Sequence, residues 1–237
     1  MKGFVSNISA PLLVGALILS VLVGVALFAP RLAPHDPTEI RLEAKLTGPS
    51  KAHLFGMDAL GRDVLSRIIY GARVSVLVGF TTVGICFIIG TLMGFLAGYY
   101  GGILDEVIMR GVDILLAFPG ILLAITLTSI LGPSLRNVIF ALCVMGWVGY
   151  ARIVRAQVLA LRESEFVLAA RALGVRDTRL LLRHIFPNML APLIVEGTFG
   201  IAGAILGEAG LSFLGLGTQP PAPSWGSMLN EGRQFLF

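Results

Sequence analysis

The sequence predicts an all-α fold, a polytopic membrane helical bundle of five spans, on two observations. First, 56% of the 237 residues are hydrophobic and only 14% are charged, with a mean hydropathy of +0.87. A soluble domain carries roughly 25% charged residues because its surface must face water. Here 18 basic and 14 acidic side chains cannot solubilise the chain. Second, the charges cluster so as to leave long uncharged runs, and a helix needs about 20 apolar residues to cross the hydrocarbon layer. The 29 glycines and 12 prolines agree, since membrane helices tolerate both more widely than soluble ones.

The spans follow in order. Lys2 and Arg31 bracket an apolar core at Leu12 to Ala29. No small-residue cleavage site follows it, only Pro30-Arg31-Leu32-Ala33-Pro34, so it is read as an anchor and not as a removed signal peptide. Arg73 and Asp105 bracket the second span, and Asp113 and Arg136 the third, Ile114 to Leu135. Asn137 to Ala151 is short for a crossing and is extended through Arg152 and Arg155, whose long side chains can snorkel. The fifth span has its apolar centre at about residues 190–216 and carries two acids, Glu196 and Glu208. The domain reading is therefore residues 1–29 as N-terminus and first span, 30–73 as a polar loop, and 74–237 as the core, with a second polar loop at 163–188.

Charge does little to orient the bundle. With the N-terminus inside, nine basic residues fall on each side, so only density favours the stretch with seven arginines from Arg152 to Arg183 as cytoplasmic. A net charge of +4 spread along the chain is no basic stripe, which excludes a nucleic-acid partner. Cys86 and Cys143 lie in apolar runs, which excludes a disulfide scaffold. His35, His53 and His184 lie far apart without ligand spacing, so neither a metal site nor any cofactor is expected.

The loops differ in character. From Arg62, the pattern Val64, Leu65, Ile68, Ile69 reads as an amphipathic helix leading into the second span, and lying at the interface is its plain interpretation. In the second loop, Glu165 to Leu173 lacks any helix breaker. Asp177 to His184 starts another helix, which Pro187 interrupts. A plain helical hairpin explains the same residues.

That second loop carries a resemblance. Glu165, Ala169-Ala170-Arg171, Gly174 and Pro187-Asn188 resemble the EAA loop of ABC importer permeases, with Leu168 where the pattern has Glu, His184 where it has Ile and Phe186 where it has Leu. The extra Glu165 and the His-x-x-Pro-Asn ending resemble the dipeptide/oligopeptide/nickel branch, closest to its dipeptide-permease C type. Two further blocks, His53 to Ser75 and Leu211 to Gly217 with Trp225-Gly226, resemble segments of the same branch. The family usually has six spans, and this chain ends at Phe237 just as it turns apolar again, so a last span is expected beyond it.

The resemblance implies a permease subunit of an ATP-driven importer in the inner membrane, forming half of a pathway for peptides or a related small solute. It implies a second permease subunit in a heterodimer, cytoplasmic ATP-binding subunits, and a solute-binding protein delivering cargo to the extracytoplasmic loop 30–73. Glu165, Ala169, Ala170, Arg171, Gly174 and Pro187 would couple to the ATP-binding subunit, with Ala169 and Ala170 buried at that contact. The chain itself is not expected to be an enzyme, since no Gly-x-x-x-x-Gly-Lys-Ser/Thr loop occurs in it. An intramembrane protease would need His or paired Asp in its spans, and they hold neither. The remaining alternative is a passive channel or assembly subunit without ATPase coupling. Glu196 and Glu208, twelve residues apart, point in different directions and are intramembrane gate candidates, because a charge at mid-bilayer costs about 2.5–3.5 kcal/mol unless it faces a polar path or partner. Gly90, Gly94 and Gly98, spaced by four, are read as a close helix-packing seam.

Overall fold

The computed structural model describes residues 10–235, so Lys2 and the terminal Leu236-Phe237 lie outside the described residues. The secondary structure is helical: α1 (Ala10–Leu32), α2 (Val64–Tyr100), α3 (Gly102–Leu116), α4 (Gly120–Leu131), α5 (Leu135–Arg162), α6 (Glu165–Ala172), α7 (Asp177–Leu180), α8 (Phe186–Phe213) and α9 (Trp225–Gly232). Among the described residues there is no strand, only one isolated bridge between Met57 and Asp63. Four stretches are long and apolar enough to cross a membrane, and a fifth exists if the bent pair α3 and α4 counts as one span. The all-α membrane bundle read from the sequence is the fold observed.

Three expectations are corrected. The third span is not one helix over 114–135: α3 and α4 meet at 85° across residues 117–119. Pro119 has no N–H to donate and holds ψ at 119°, which disfavours continuing α3 through Phe118. The polar-to-apolar pattern from Arg62 is not a separate interfacial helix but the opening turns of α2, 37 residues without a break. Pro187 does not interrupt its helix either. Its missing N–H would leave the Arg183 carbonyl unpaired, and the chain meets this by widening into a π turn over Leu181–Ile185 before running on as α8.

The chain divides into two compact units, at 77/78 within α2 and at 208/209 within α8. In the unit of residues 78–208, α2 packs on α5 along its glycines. A Cβ on Gly90 would sit 2.5 Å from the Trp147 carbonyl oxygen, and one on Gly94 2.6 Å from that of Ala151. The four-residue glycine spacing is therefore a packing seam within the chain, as expected. Arg155 also has a partner within the chain. Its guanidinium makes a two-pronged pair with Asp105 of α3, at 2.5 and 2.6 Å, and a charge so paired is less costly beside an apolar layer.

The other unit, residues 1–77 and 209–237, is organised by a buried ionic hub. Asp58 accepts hydrogen bonds from the amides of Leu60 and Arg62 at 2.8 and 3.0 Å and from Arg62 Nε at 2.7 Å. Arg67 reaches the same carboxylate, and both arginines reach Glu231 of α9, at 2.8 Å from Arg62 and 2.7 Å from Arg67. Arg62 and Arg67 are only 4% and 2% exposed. Gly61 makes the turn possible, with φ of +71° and no room for a Cβ, which would lie 1.9 Å from the Arg41 carbonyl oxygen. Trp225 Nε1 donates to the Ile68 carbonyl at 3.0 Å. The two sequence blocks singled out around residues 53–75 and 211–226 thus meet in one unit.

Candidate coupling loop and central cavity

The loop after α5 forms α6 and α7 at the end of the 78–208 unit. α6 turns Val167 and Ala170 inward, three residues apart on one face, into a core that includes Leu180, Ile185, Met189 and Leu193. Its outer face shows Phe166, Leu168, Ala169 and, just beyond its end, Leu173, which is 85% exposed. Consecutive helical positions lie about 100° apart, and this corrects the expectation that both alanines face a partner. Ala169 is on the surface, whereas Ala170 supports the helix from below.

The remaining loop residues take distinct places. Glu165 is exposed in the first turn of α6, where a negative charge suits the helix dipole. Gly174 ends the helix with φ of +79°, its amide donating to the Arg171 carbonyl at 2.9 Å, and a Cβ there would meet nothing within 4 Å. The conformation, not crowding, calls for glycine. Arg171 lies over the Tyr99 ring at 5.7 Å, and the Tyr99 hydroxyl donates to Asp177. Tyr99, near the end of α2, therefore ties α6 to α7. Pro187 is exposed in the first turn of α8.

The same unit contains a cavity of about 390 Å³ between the middles of α2, α5 and α8, with Gly120, Ile121 and Ala124 of α4 beside it. Its lining is mostly apolar and glycine-rich, interrupted by Thr82, Tyr150 and Glu196. Glu196 is half-buried on its wall, whereas Glu208 is fully buried and does not line it. The two acids are not brought together, as their spacing implied.

Sequence spacing misled in one more place. His35 and His53 stack with ring centroids 4.4 Å apart, and His53 Nδ1 is 2.9 Å from Asp63 Oδ1. One ligand atom from each of the three lies within 4.8 Å of the others. Only His184 stays remote, on the π turn. Phe166 and Leu173 lie within the helix read from Glu165 to Leu173, but only the structure shows them on its outer face, and Tyr99 had no place in the sequence reading.

Comparison with known proteins identifies the molecule. Residues 90–237 match the model of the binding-protein-dependent transport system inner membrane component family. The chain belongs to that family. Residues 11–49 match the N-terminal transmembrane domain of oligopeptide transport permease C. The chain is 48% identical over 224 residues to the dipeptide transport system permease protein of Alkalihalophilus pseudofirmus, covering 94% of this chain and 74% of that protein. It is 44% identical over 230 residues to the dipeptide transport system permease of Haemophilus influenzae, covering 94% and 78%. Against the glutathione transport system permease of Pectobacterium atrosepticum it is 43% identical over 218 residues, covering 92% and 72%. It is thus an inner-membrane permease subunit of an ATP-driven, binding-protein-dependent importer, not itself an enzyme, and ATP hydrolysis and solute capture belong to separate subunits.

Proposed function

We propose that this permease imports short peptides as one half of a heterodimeric pathway, driven through its 163–188 loop. The observation that carries the reading is the outer face of α6. Phe166, Leu168 and Leu173 lie exposed beside Ala169, on a helix held rigid from below by Val167 and Ala170. An apolar patch on a short, braced helix suits a groove on a cytoplasmic partner, and the names of the relatives supply the peptide cargo. In this reading Glu165 makes a polar rim contact, Arg171 braces α6 through Tyr99, Gly174 sets the turn, and Pro187 fixes the entry into α8. Closure of the ATP-binding subunits then rocks α8 and α5 as packed units, with Glu196 and Glu208 on the moving helix as gate residues. A passive channel would have no use for such a helix.

The domain assignment follows: residues 1–29 anchor the chain, 30–73 face the solute-binding protein outside, and 74–237 form the core with the 163–188 loop in the cytoplasm. Lys45→Cys should react with a membrane-impermeant maleimide in intact cells, and Arg179→Cys only after lysis. Arg179 is the better reporter than Asp177, which holds Tyr99. The reverse labelling pattern would overturn both the orientation and the coupling role. For cargo, the complex purified with its partner permease, ATP-binding subunits and solute-binding protein should accumulate a labelled dipeptide in proteoliposomes only when ATP is present. ATP-independent equilibration would favour a channel.

A further inference from the structure

We propose that the cavity between α2, α5 and α8 is a binding station for the amino-terminal end of the peptide in transit, with the Glu196 carboxylate on its ammonium and the Tyr150 hydroxyl on its first carbonyl. The proposal rests on the peptide reading above and adds to it a site within the membrane and a chemical basis for recognition there.

Position comes first. Thr82 is the middle residue of α2, and Tyr150 and Glu196 lie within four residues of the middles of α5 and α8. All three line the cavity. Among the described residues, Glu196 forms no ion pair, and the hydroxyls of Tyr150 and Thr82 have no hydrogen-bond partner. Tyr150 is only 2% exposed. Buried polar groups are almost always satisfied, so two buried hydroxyls without a partner and a half-buried carboxylate without an ion pair, on residues lining one space, call for a ligand that satisfies them.

The glycines around them reinforce this. A Cβ on Gly149 of α5 would lie 2.6 Å from Glu196 Oε1 of α8, and one on Gly200 of α8 would lie 3.0 Å from the Tyr150 hydroxyl of α5. Each helix thus withdraws its side chain opposite the polar group of the other. The room so made, about 390 Å³, accepts the backbone end of a peptide with part of a side chain.

The donor set selects the occupant. An anion beside hydroxyl donors asks for a cation joined to an acceptor. A peptide amino terminus offers both, its ammonium two bonds from its first carbonyl carbon. A lysine or arginine reaching in from a partner permease would answer the carboxylate but bring no acceptor for the hydroxyls. The apolar remainder of the wall leaves side-chain identity unread, which suits a carrier of varied peptides.

The test measures equilibrium binding of labelled Ala-Phe and of N-acetyl-Ala-Phe to the purified complex of both permeases and the ATP-binding subunits, without the solute-binding protein. The parent complex should bind the free dipeptide about tenfold or more tighter, the ratio separating a charge-assisted from an ordinary hydrogen bond. Glu196→Gln should bind both peptides alike, and Tyr150→Phe should weaken both several-fold while keeping the preference. A Glu196→Gln complex that keeps the preference, a parent that shows none, or a Glu196→Gln chain that no longer assembles with its partner permease would each overturn the station. A parent that imports dipeptide yet shows no preference in binding overturns it while leaving the peptide reading intact. A parent that imports no peptide removes both.

Discussion

Two regions of this permease bury polar groups in opposite ways. In the hub of the first unit every charge has a counter-charge: Asp58 is met by two amides and two guanidinium groups, and Arg62 and Arg67 by Asp58 and Glu231, with the buried Arg67 Nε left without a hydrogen bond among the described residues. Around the cavity of the second unit, the Tyr150 and Thr82 hydroxyls have no hydrogen-bond partner and Glu196 has no ion pair among the described residues. Chemistry of the same kind thus does different work. Paired charges fix one geometry, whereas the station proposed above leaves its polar groups to an occupant.

Breaking the hub should give the largest effect. Asp58→Ala leaves two nearly inaccessible guanidinium groups short of a partner, and removing one member of a buried pair costs about 3–5 kcal/mol. The variant chain should be depleted from membranes and lose its cooperative melting in detergent. Glu231→Ala should cost less, because its carboxylate is 34% exposed and water replaces part of what is lost. If Glu231→Ala proved the worse of the two, Asp58 would not be the centre of the hub.

Acid should separate the regions. Burial raises the Asp58 carboxyl, but the amides of Arg62 and Leu60, the Arg62 guanidinium and the charge of Arg67 outweigh it and hold the group below the ordinary carboxylate range. Asp63 is lowered likewise, burial being outweighed by His53, Ser66 and the charge of His35. A carboxyl held low in the folded state stabilises the fold above its unfolded value, about 4, and that contribution is lost as pH falls through the folded value. Melting temperature should therefore hold between pH 7 and about pH 4.5 and drop below it. Asp58→Asn should flatten the acid limb.

Two glycines sharpen the contrast at smaller cost. Gly61 and Gly174 both take positive φ, yet a Cβ strikes backbone at Gly61 and meets nothing at Gly174. Gly61→Ala should block accumulation of folded chain. Gly174→Val should cost on the order of 1–3 kcal/mol of local strain, assemble with the partner permease, and lose transport-linked ATPase activity. The smallest effect belongs to Ser164, whose hydroxyl donates to the Leu161 carbonyl at the start of the loop. Ser164→Ala should change stability by about 1 kcal/mol or less and leave ATPase coupling near the parent level.

What the sequence disclosed divides by range. Spans announced themselves through composition, and the Gly90, Gly94, Gly98 seam through spacing, because both are local patterns along one helix. The break at Pro119 and the π turn before Pro187 were less legible. Proline states that a helix is perturbed but not whether the chain bends or widens, and packing decides that. Glu231 was invisible as a partner of Arg62 and Arg67, 169 and 164 residues away, as was the meeting of His35 with His53 and Asp63. In the loop, the residue types marked Gly174 correctly as a turn, but only the core against α6 separates Ala169 from Ala170.

The central claim is that the outer face of α6 transmits motion to and from the ATP-binding subunit. Leu173→Asp tests it most directly, since Leu173 is 85% exposed and an aspartate there disturbs nothing within the chain. The measurement is ATPase activity of the purified complex, with and without solute-binding protein, beside the amount of ATP-binding subunit that co-purifies. The account predicts normal insertion and pairing with the partner permease, together with loss of the ATP-binding subunit or of stimulated hydrolysis. A Leu173→Asp complex that retains its ATP-binding subunit and is stimulated like the parent would contradict it.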